Sequence, residues 1–299
     1  MMMCIDAIRN LGIDFLQEEP LAKHTTFRVG GAAEIFARPK TSNELTQIWE
    51  LCHSHNIPLT ILGDGANTLV ADSGLRGVVV CTNKMNAIEI DENGSVKAAS
   101  GAKLSKVAEL ACRAGLAGFE FASGIPGTVG GAVYMNAGAY DHDIGEFCTS
   151  VTMASQSGVL EYSAAEMQFG YRKSHAQSGN FLILSATFQL HPGHNPEEIR
   201  NKMQELNNRR RQTQPLEFAS AGSTFKRPPG HYAGKLIQDA ELKGFTIGGA
   251  QVSEKHAGFV INTGAATAHD IYTLINEVRE RVHKNSGVWL EPEVRILGF

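Results

Sequence analysis

An α+β chain of two domains is the fold class that this sequence predicts, on three observations. Strand-like and helix-like stretches alternate through the first two hundred residues, and neither period takes over. A long polar helix signal then opens at Asn195, and a fresh α+β pattern follows it. The 299 residues, 42% of them apolar, supply enough chain for two domains of ordinary size, each with its own core.

The elements follow in order. The start, MMMCIDAIRNLGIDF, carries Asp6 and Arg9 where a secretory signal requires an unbroken apolar stretch, and no apolar run approaches the roughly 20 residues that span a bilayer. AEIFARP reads as a strand, and Thr41 with Glu44 forms a capping box ahead of a helix running to about His53. IPLTIL, GVVVCT and SVKAAS read as strands, and LSKVAELACRAG as a helix ended by Gly115. FLILSATFQL closes this region as a strand. Asn195-Pro196-Glu197-Glu198 then supplies an N-cap, a first-turn proline and acidic residues at the positive end of a helix. The domain boundary falls in this helix or just after it: residues 1–200 form the first domain, in two lobes dividing near 82, and 201–299 the second. The second domain holds a short helix around Leu236 to Leu242, a strand at GFVINT, and a helix from Thr267 with Asp270 at its third position and Gly287 after its end. VWLEPEVRIL, 288–297, is the final strand, and alternation puts Glu291, Glu293 and Arg295 on one of its faces.

A net charge of −4, with no basic run longer than Arg209-Arg210-Arg211, gives no electrostatic footprint for nucleic acid. The five cysteines (Cys4, Cys52, Cys81, Cys112, Cys148) are odd in number, scattered and never in a C-x-x-C pair. That argues against a disulfide framework and a zinc site, so no metal is expected and a reducing cytosol is.

Three segments carry candidate chemistry. AGSTFKRP sets Ser223 three residues before Lys226, the spacing of serine acylases, yet Pro228 and Pro229 would break the helix that this arrangement needs. ILGDGANTLVADSGLRG (61–77) and ASGIPGTVGGAVYMNAGAY (122–140) are rich in glycine, which lets successive amide N–H groups face one concavity and hold a phosphate. Gly63 and Gly65 open a G-x-G-x-x pattern that ends at Thr68 without the helix a Rossmann fingerprint requires, and GHYAGKL is not a Walker A loop. Two tight structural turns remain the plain alternative for either loop alone.

Taken in order, GDGAN, GIPGTVGGAVYMNAGAY, YRKS, AGSTFKRP, GGAQVSEKHAGFVIN and LEPEVR resemble the UDP-N-acetylenolpyruvoylglucosamine reductases, and the motifs run from about residue 24 to residue 298. The spacing between Arg172 and Ser223 is similar to that of the short subclass, which lacks an extra tyrosine-bearing loop. The resemblance implies a two-lobed FAD-binding domain of the vanillyl-alcohol-oxidase type and a smaller substrate-binding domain. It further implies a bacterial cytoplasmic enzyme of peptidoglycan precursor synthesis that uses NADPH, through FAD, to reduce UDP-N-acetylglucosamine enolpyruvate to UDP-N-acetylmuramate, with no nucleic-acid or membrane partner. Another FAD-dependent oxidase of the same superfamily is the alternative.

By motif position the resemblance places FAD against Gly63, Asp64, Gly65, Ala66, Asn67 and Thr68, and against Gly124, Ile125, Pro126, Gly127, Thr128, Gly130 and Gly131. It makes Ser223 the donor of a proton to the substrate α-carbon, Arg172 the partner of the substrate carboxylate, and Glu293 a catalytic glutamate that helps stabilise the enolate. Tyr140, Lys226, Arg227 and His256 fall at positions similar to substrate contacts. Three positions depart from the common pattern: Ala66 stands where serine is expected, Asp141 where glycine is usual, and Arg227 where asparagine is frequent.

Overall fold

The structure, a computed structural model, describes residues 2–299, with side chains described from Ile5 onward; the side chain of Cys4 lies outside the described residues. The chain divides into two compact units, each discontinuous in sequence: Met1–Phe15, Ala37–Asp64 and Val79–Arg210 in the first, and Leu16–Phe36, Gly65–Val78 and Arg211–Phe299 in the second.

The first unit is built on a five-stranded antiparallel sheet, ordered Gly158–Ser163, Cys148–Ser155, Leu182–Gln189, Ser95–Ala99 and Ile88–Ile90. Period two decides which side chains it buries: Leu182, Leu184, Ala186 and Phe188 turn inward, and Ile183, Ser185 and Thr187 are only half-buried. Helix Leu104–Arg113 presents Leu104, Val107, Ala108 and Ala111 at helical spacing, and they pack with Val96, Ala98, Val151, Met153, Ala186 and Phe188 in one core. Each large side chain wholly buried here contributes roughly 1.5–3 kcal/mol. Helix Ser42–Ser54 begins at Thr41, whose hydroxyl accepts the Glu44 N–H at 3.1 Å, while the Glu44 carboxylate accepts from Lys40 N–H at 2.8 Å. Residues 129–135 of the second glycine-rich segment form helix Val129–Met135 instead of continuing the expected loop.

The second unit sets a four-stranded antiparallel sheet, ordered Ala219–Ser220, Val260–Asn262, Ala250–Val252 and Thr246–Ile247, against helix Ala268–Ser286. Ile271, Leu274, Ile275, Val278 and Val282 lie on one stripe of that helix and are fully buried. The expected capping box is complete: Thr267 accepts from Asp270 N–H and Asp270 from Thr267 N–H, and Gly287 takes φ 75° after the last turn. The Asp72 carboxylate adds to this cap, accepting from Ala268 and His269 N–H at 2.9 Å each. Thr68–Val70 pairs in parallel with Arg295–Leu297, in the register Thr68 to Arg295.

Two boundaries differ from the sequence reading. The final strand is Arg295–Leu297, not 288–297, with an isolated antiparallel bridge at Pro292 upstream of it. Pro292 has no N–H to give a ladder, so the chain pairs there with one partner and at 295–297 with another. The short helix runs Ala233–Asp239, ending before Leu242. Among the described residues no helix is long and apolar enough to cross a membrane.

Candidate active site

In the second unit, the segment around Ser223 is not helical and bends at Gly222 and Thr224. Gly222 takes φ 75°, and the chain then pairs antiparallel with the residues around Pro292 through the bridge Phe225 to Pro292. Glu293 N–H donates to Thr224 O at 2.8 Å, and Lys226 N–H to Glu291 O at 2.9 Å. On its other side the segment is held by Thr224, whose N–H donates to Gly258 O at 2.8 Å and whose buried hydroxyl accepts Val260 N–H at 2.9 Å. The register puts Thr224 opposite Glu293, with Ser223 next along, exposed, and Glu293 half-buried. The segment carries no helical turn between Ser223 and Lys226, and the Lys226 ammonium instead pairs with the Glu291 carboxylate. A lysine one helical turn below the serine, the acylase arrangement, is therefore absent.

The first glycine loop reaches the same strand. Asn67 Nδ2 donates to the backbone carbonyl of Glu293 at 3.0 Å, and Arg295 N–H donates to Asn67 O at 2.9 Å. Thr68 then enters the parallel pair with Arg295. Gly65, at φ 59°, has no space for a side chain: a Cβ would lie 2.1 Å from His24 O and 2.8 Å from Thr25 Cα. Its carbonyl and that of Ala66 face the Thr26 hydroxyl at 3.5 and 3.4 Å.

In the first unit, Gly63 lies against Thr128, and a Cβ on Gly63 would come within 2.3 Å of Thr128 Oγ1. This hydroxyl is buried and has no hydrogen-bond partner, as is that of Ser100. Helix Val129–Met135 is anchored from outside: Val129 N–H donates to Ala102 O and Gly130 N–H to Ser100 O, at 2.8 Å each. Gly130 therefore packs on Ser100, where a Cβ would sit 2.9 Å from the serine Cβ, whereas at Gly131 a Cβ would meet only Thr128 Oγ1, at 3.8 Å. Before the helix, Gly127 takes φ 116° with its carbonyl bonded to Leu104 N–H, Ile125 N–H bonds Ala122 O, Pro126 is exposed, and Gly124 closes on the Asn207 side chain. Asp64 is half-buried at the end of the neighbouring loop, and its charge adds to the burial that raises the Cys81 thiol. Orphaned hydroxyls at Thr128 and Ser100, beside glycines that leave the backbone bare, fit the phosphates of a bound dinucleotide.

Arg172 occupies a tight turn in the first unit. Gly170 and Lys173 exchange N–H to carbonyl bonds at 3.0 Å each, leaving Tyr171 and Arg172 at the tip, and Arg172 takes φ 54°. A positive φ at this third turn position suits glycine or asparagine, and an L side chain there costs about 1–2 kcal/mol. The Arg172 guanidinium stands 5.2 Å from the Tyr171 ring centre and donates from Nη2 to Gly138 O at 3.2 Å. Gly138 opens the hairpin whose two-residue tip is Tyr140 and Asp141, both at positive φ (56° and 65°), so Asp141 adopts the conformation that glycine favours. The Tyr140 hydroxyl donates to Leu206 O at 2.8 Å, and its ring lies 5.5 Å from the Arg209 guanidinium.

Of the remaining candidates, the Arg227 guanidinium lies 4.0 Å from the Tyr232 ring centre. His256 is turned inward: its Nδ1 accepts Gly258 N–H at 3.1 Å, and burial lowers its pKa and keeps the imidazole neutral. Within the second unit Ser223, Lys226, Glu293, Asn67 and Thr68 share one set of paired segments. Within the first, Gly63 meets Thr128, and Arg172 meets the hairpin of Tyr140. Sequence reasoning passed over Ser100, Asn136, Gln177 and Thr224; Asn136 and Thr224 sit inside quoted motifs, but their side chains were given no role there, and Ser100 and Gln177 lie in none of these motifs.

Comparison with known proteins agrees in both units. Residues 33–162 match the family profile described as FAD binding domain, and residues 214–297 that of the UDP-N-acetylenolpyruvoylglucosamine reductase C-terminal domain. A protein of Clostridium kluyveri named UDP-N-acetylenolpyruvoylglucosamine reductase is 48% identical over 95% of this chain and 93% of its own length. One of the same name from Streptococcus thermophilus is 47% identical over 96% and 94%. The crystal structure of the reductase of that name from Thermus caldophilus superposes with a TM-score of 0.79 at 33% identity, covering 96% of this chain and 99% of that one. With relatives this similar along almost its entire length, the chain belongs to the UDP-N-acetylenolpyruvoylglucosamine reductase family.

Proposed function

We infer that this chain is an FAD-containing reductase that converts UDP-N-acetylenolpyruvoylglucosamine to UDP-N-acetylmuramate, with NADPH as the reductant, in the synthesis of peptidoglycan precursors. The observation that supports the assignment of roles is the antiparallel pairing of the segment around Phe225 with that around Pro292, since it brings the backbone of Ser223 within one residue of the position opposite Glu293. The bacterial cytoplasm, where nucleotide sugars are made, is the compartment that this reading requires.

When bound, FAD would supply the hydride for the enolpyruvyl β-carbon, and the chain must then manage the negative charge left on the α-carbon and carboxylate. Gly63, Thr128 and Gly131, with Ser100 behind them, would hold the cofactor's phosphates; the other residues of 63–68 and 124–130 would shape its bed. Arg172 would receive the carboxylate in its planar fork of donors. Ser223 would deliver the proton to the α-carbon. A serine hydroxyl is a poor acid, and it serves because the acceptor is strongly basic and held in reach. Glu293 would share the enolate charge with Arg172, its backbone held by Asn67 and Thr224. Lys226 and Arg227 would meet the substrate's diphosphate, with Tyr140 and His256 as further substrate contacts. In this assignment residues 1–200 would form the cofactor-binding domain, which also supplies Arg172 and Tyr140 to the substrate, and 201–299 the substrate-binding domain.

Rapid mixing of the holoprotein separates these roles. Ser223→Ala should leave flavin reduction by NADPH nearly untouched and slow reoxidation by UDP-N-acetylenolpyruvoylglucosamine by about 10²–10⁴-fold. A loss below about tenfold would make water or another group the proton donor, and fast reoxidation by oxygen in place of the substrate would favour an oxidase.

A further inference from the structure

We infer that Asn136 and Gln177 are positioning residues for the reduction, holding Arg172 in its left-handed backbone conformation and so fixing where its guanidinium meets the substrate carboxylate. The inference rests on the reading of Arg172 as the carboxylate partner. Three observations carry it. First, the backbone at Arg172, φ 54°, is one that an arginine rarely adopts, and such a residue persists only where its surroundings over-determine it.

Second, the carbonyls on both sides of the turn tip are each held by a side-chain amide from outside the turn. Asn136 Nδ2 donates to Gly170 O at 3.0 Å, and Gln177 Nε2 donates to Arg172 O at 3.1 Å. Third, both amides are fixed in turn. Gln177 spends its second N–H on Tyr134 O at 2.5 Å, the carbonyl that also accepts from Ser174 Oγ at 2.9 Å. Asn136 is buried, accepts Gly145 N–H at 3.0 Å, and sits at φ 43° as the residue that ends helix Val129–Met135. The end of that helix is thereby bonded to the turn at Gly170 O and, through Gln177, linked to the Arg172 carbonyl, and the guanidinium's bond to Gly138 O closes the ring of contacts.

Single-turnover kinetics on the FAD-loaded protein test this. Gln177→Ala deletes one amide. Asn136→Gly deletes the other and keeps a residue at ease with positive φ. Each should slow flavin reoxidation by UDP-N-acetylenolpyruvoylglucosamine by about 10- to 100-fold, the scale of an ångström's misplacement, with reduction by NADPH within about twofold of normal. In steady state the loss should fall on kcat more than on KM. The double variant Arg172→Ala/Gln177→Ala should be no slower than Arg172→Ala, because a residue that acts through Arg172 has nothing left to position. Losses that multiply in the double variant, or single variants as fast as the unaltered protein, would overturn the positioning role. An Arg172→Ala protein that is itself reoxidised at full speed would instead overturn the assignment of Arg172 on which the role depends.

Discussion

Gly130 and Gly131 are chain neighbours in one short helix, and the structure gives them opposite reasons to be glycine. At Gly130 an added Cβ would come within 2.9 Å of the Ser100 Cβ and 3.1 Å of its carbonyl oxygen, so the two backbones must separate to admit it. Overpacking of this kind costs about 1–3 kcal/mol, against at most about 1 kcal/mol regained by replacing glycine in a helix. Gly130→Ala should therefore destabilise the FAD-free protein by about 1 kcal/mol, or 2–4 °C in melting temperature. At Gly131 the added atom meets nothing nearer than Thr128 Oγ1 at 3.8 Å, and the backbone is helical, so Gly131→Val should leave the FAD-free protein within about 2 °C of normal. Its side chain would nevertheless fill the space over the unpartnered Thr128 hydroxyl, and the purified protein should be colourless. The assay is a melting curve of FAD-stripped protein beside the flavin absorbance per chain after purification. A stable Gly131→Val protein carrying stoichiometric FAD would refute the placement of the cofactor's phosphates against this helix.

Thr224→Val keeps the side-chain volume and strands the buried Val260 N–H, so it should cost about 1–3 kcal/mol in urea unfolding, and Thr224→Ser should restore most of it. Burial pushes the Cys148 thiol up to about 12, from 9.0. Above pH 9 the unfolded chain releases a proton that the folded chain keeps, so this thiol's contribution, complete below pH 9, is lost towards pH 12 at up to about 1.4 kcal/mol per pH unit. Cys148→Ala should flatten the fall in urea midpoint between about pH 9 and 10.5; an unchanged slope would show that the thiol is not held protonated. Arg227→Asn should raise KM for the nucleotide sugar with kcat nearly constant, and the effect should shrink in high salt; a collapse of kcat would place Arg227 among the catalytic groups.

Helix ends were the most legible part of the fold because capping is a local rule. Thr267, Asp270 and Gly287 behave as their spacing requires, and at Thr41 only the destination of the Glu44 carboxylate differs, going one residue further back to Lys40. What defeated sequence reading was pairing at long range. A Val-Gly-Gly run is a poor helix former, yet it is helical here because Ala102 and Ser100 accept its first two N–H groups. The alternating pattern of 288–297 was real, with Leu290 and Val294 buried, but alternation does not reveal that the stretch serves two different partners on either side of Pro292. At the site, motif order supplied the residues proposed to touch ligands. The residues proposed to aim them, Asn136, Gln177 and Thr224, show themselves through side-chain hydrogen bonds to backbone atoms, most of them distant in sequence.

The bond from Asn67 to the carbonyl of Glu293 joins residues 226 positions apart, and it has a consequence for how the chain is made. All residues of the first unit have been synthesised once Arg210 has been added. In the second unit the parallel pair of Thr68–Val70 and Arg295–Leu297 cannot form until residues 295–297 leave the ribosome. At roughly 5–20 residues per second, the strand after the first glycine loop waits on the order of 10–50 s for its partner. During that interval its buried side chains, Leu69 and Val70, have no sheet to enter. A ribosome stalled before Arg295 should therefore hold a chain in which residues 66–73 are cut readily by protease, while most of residues 79–210 are already resistant.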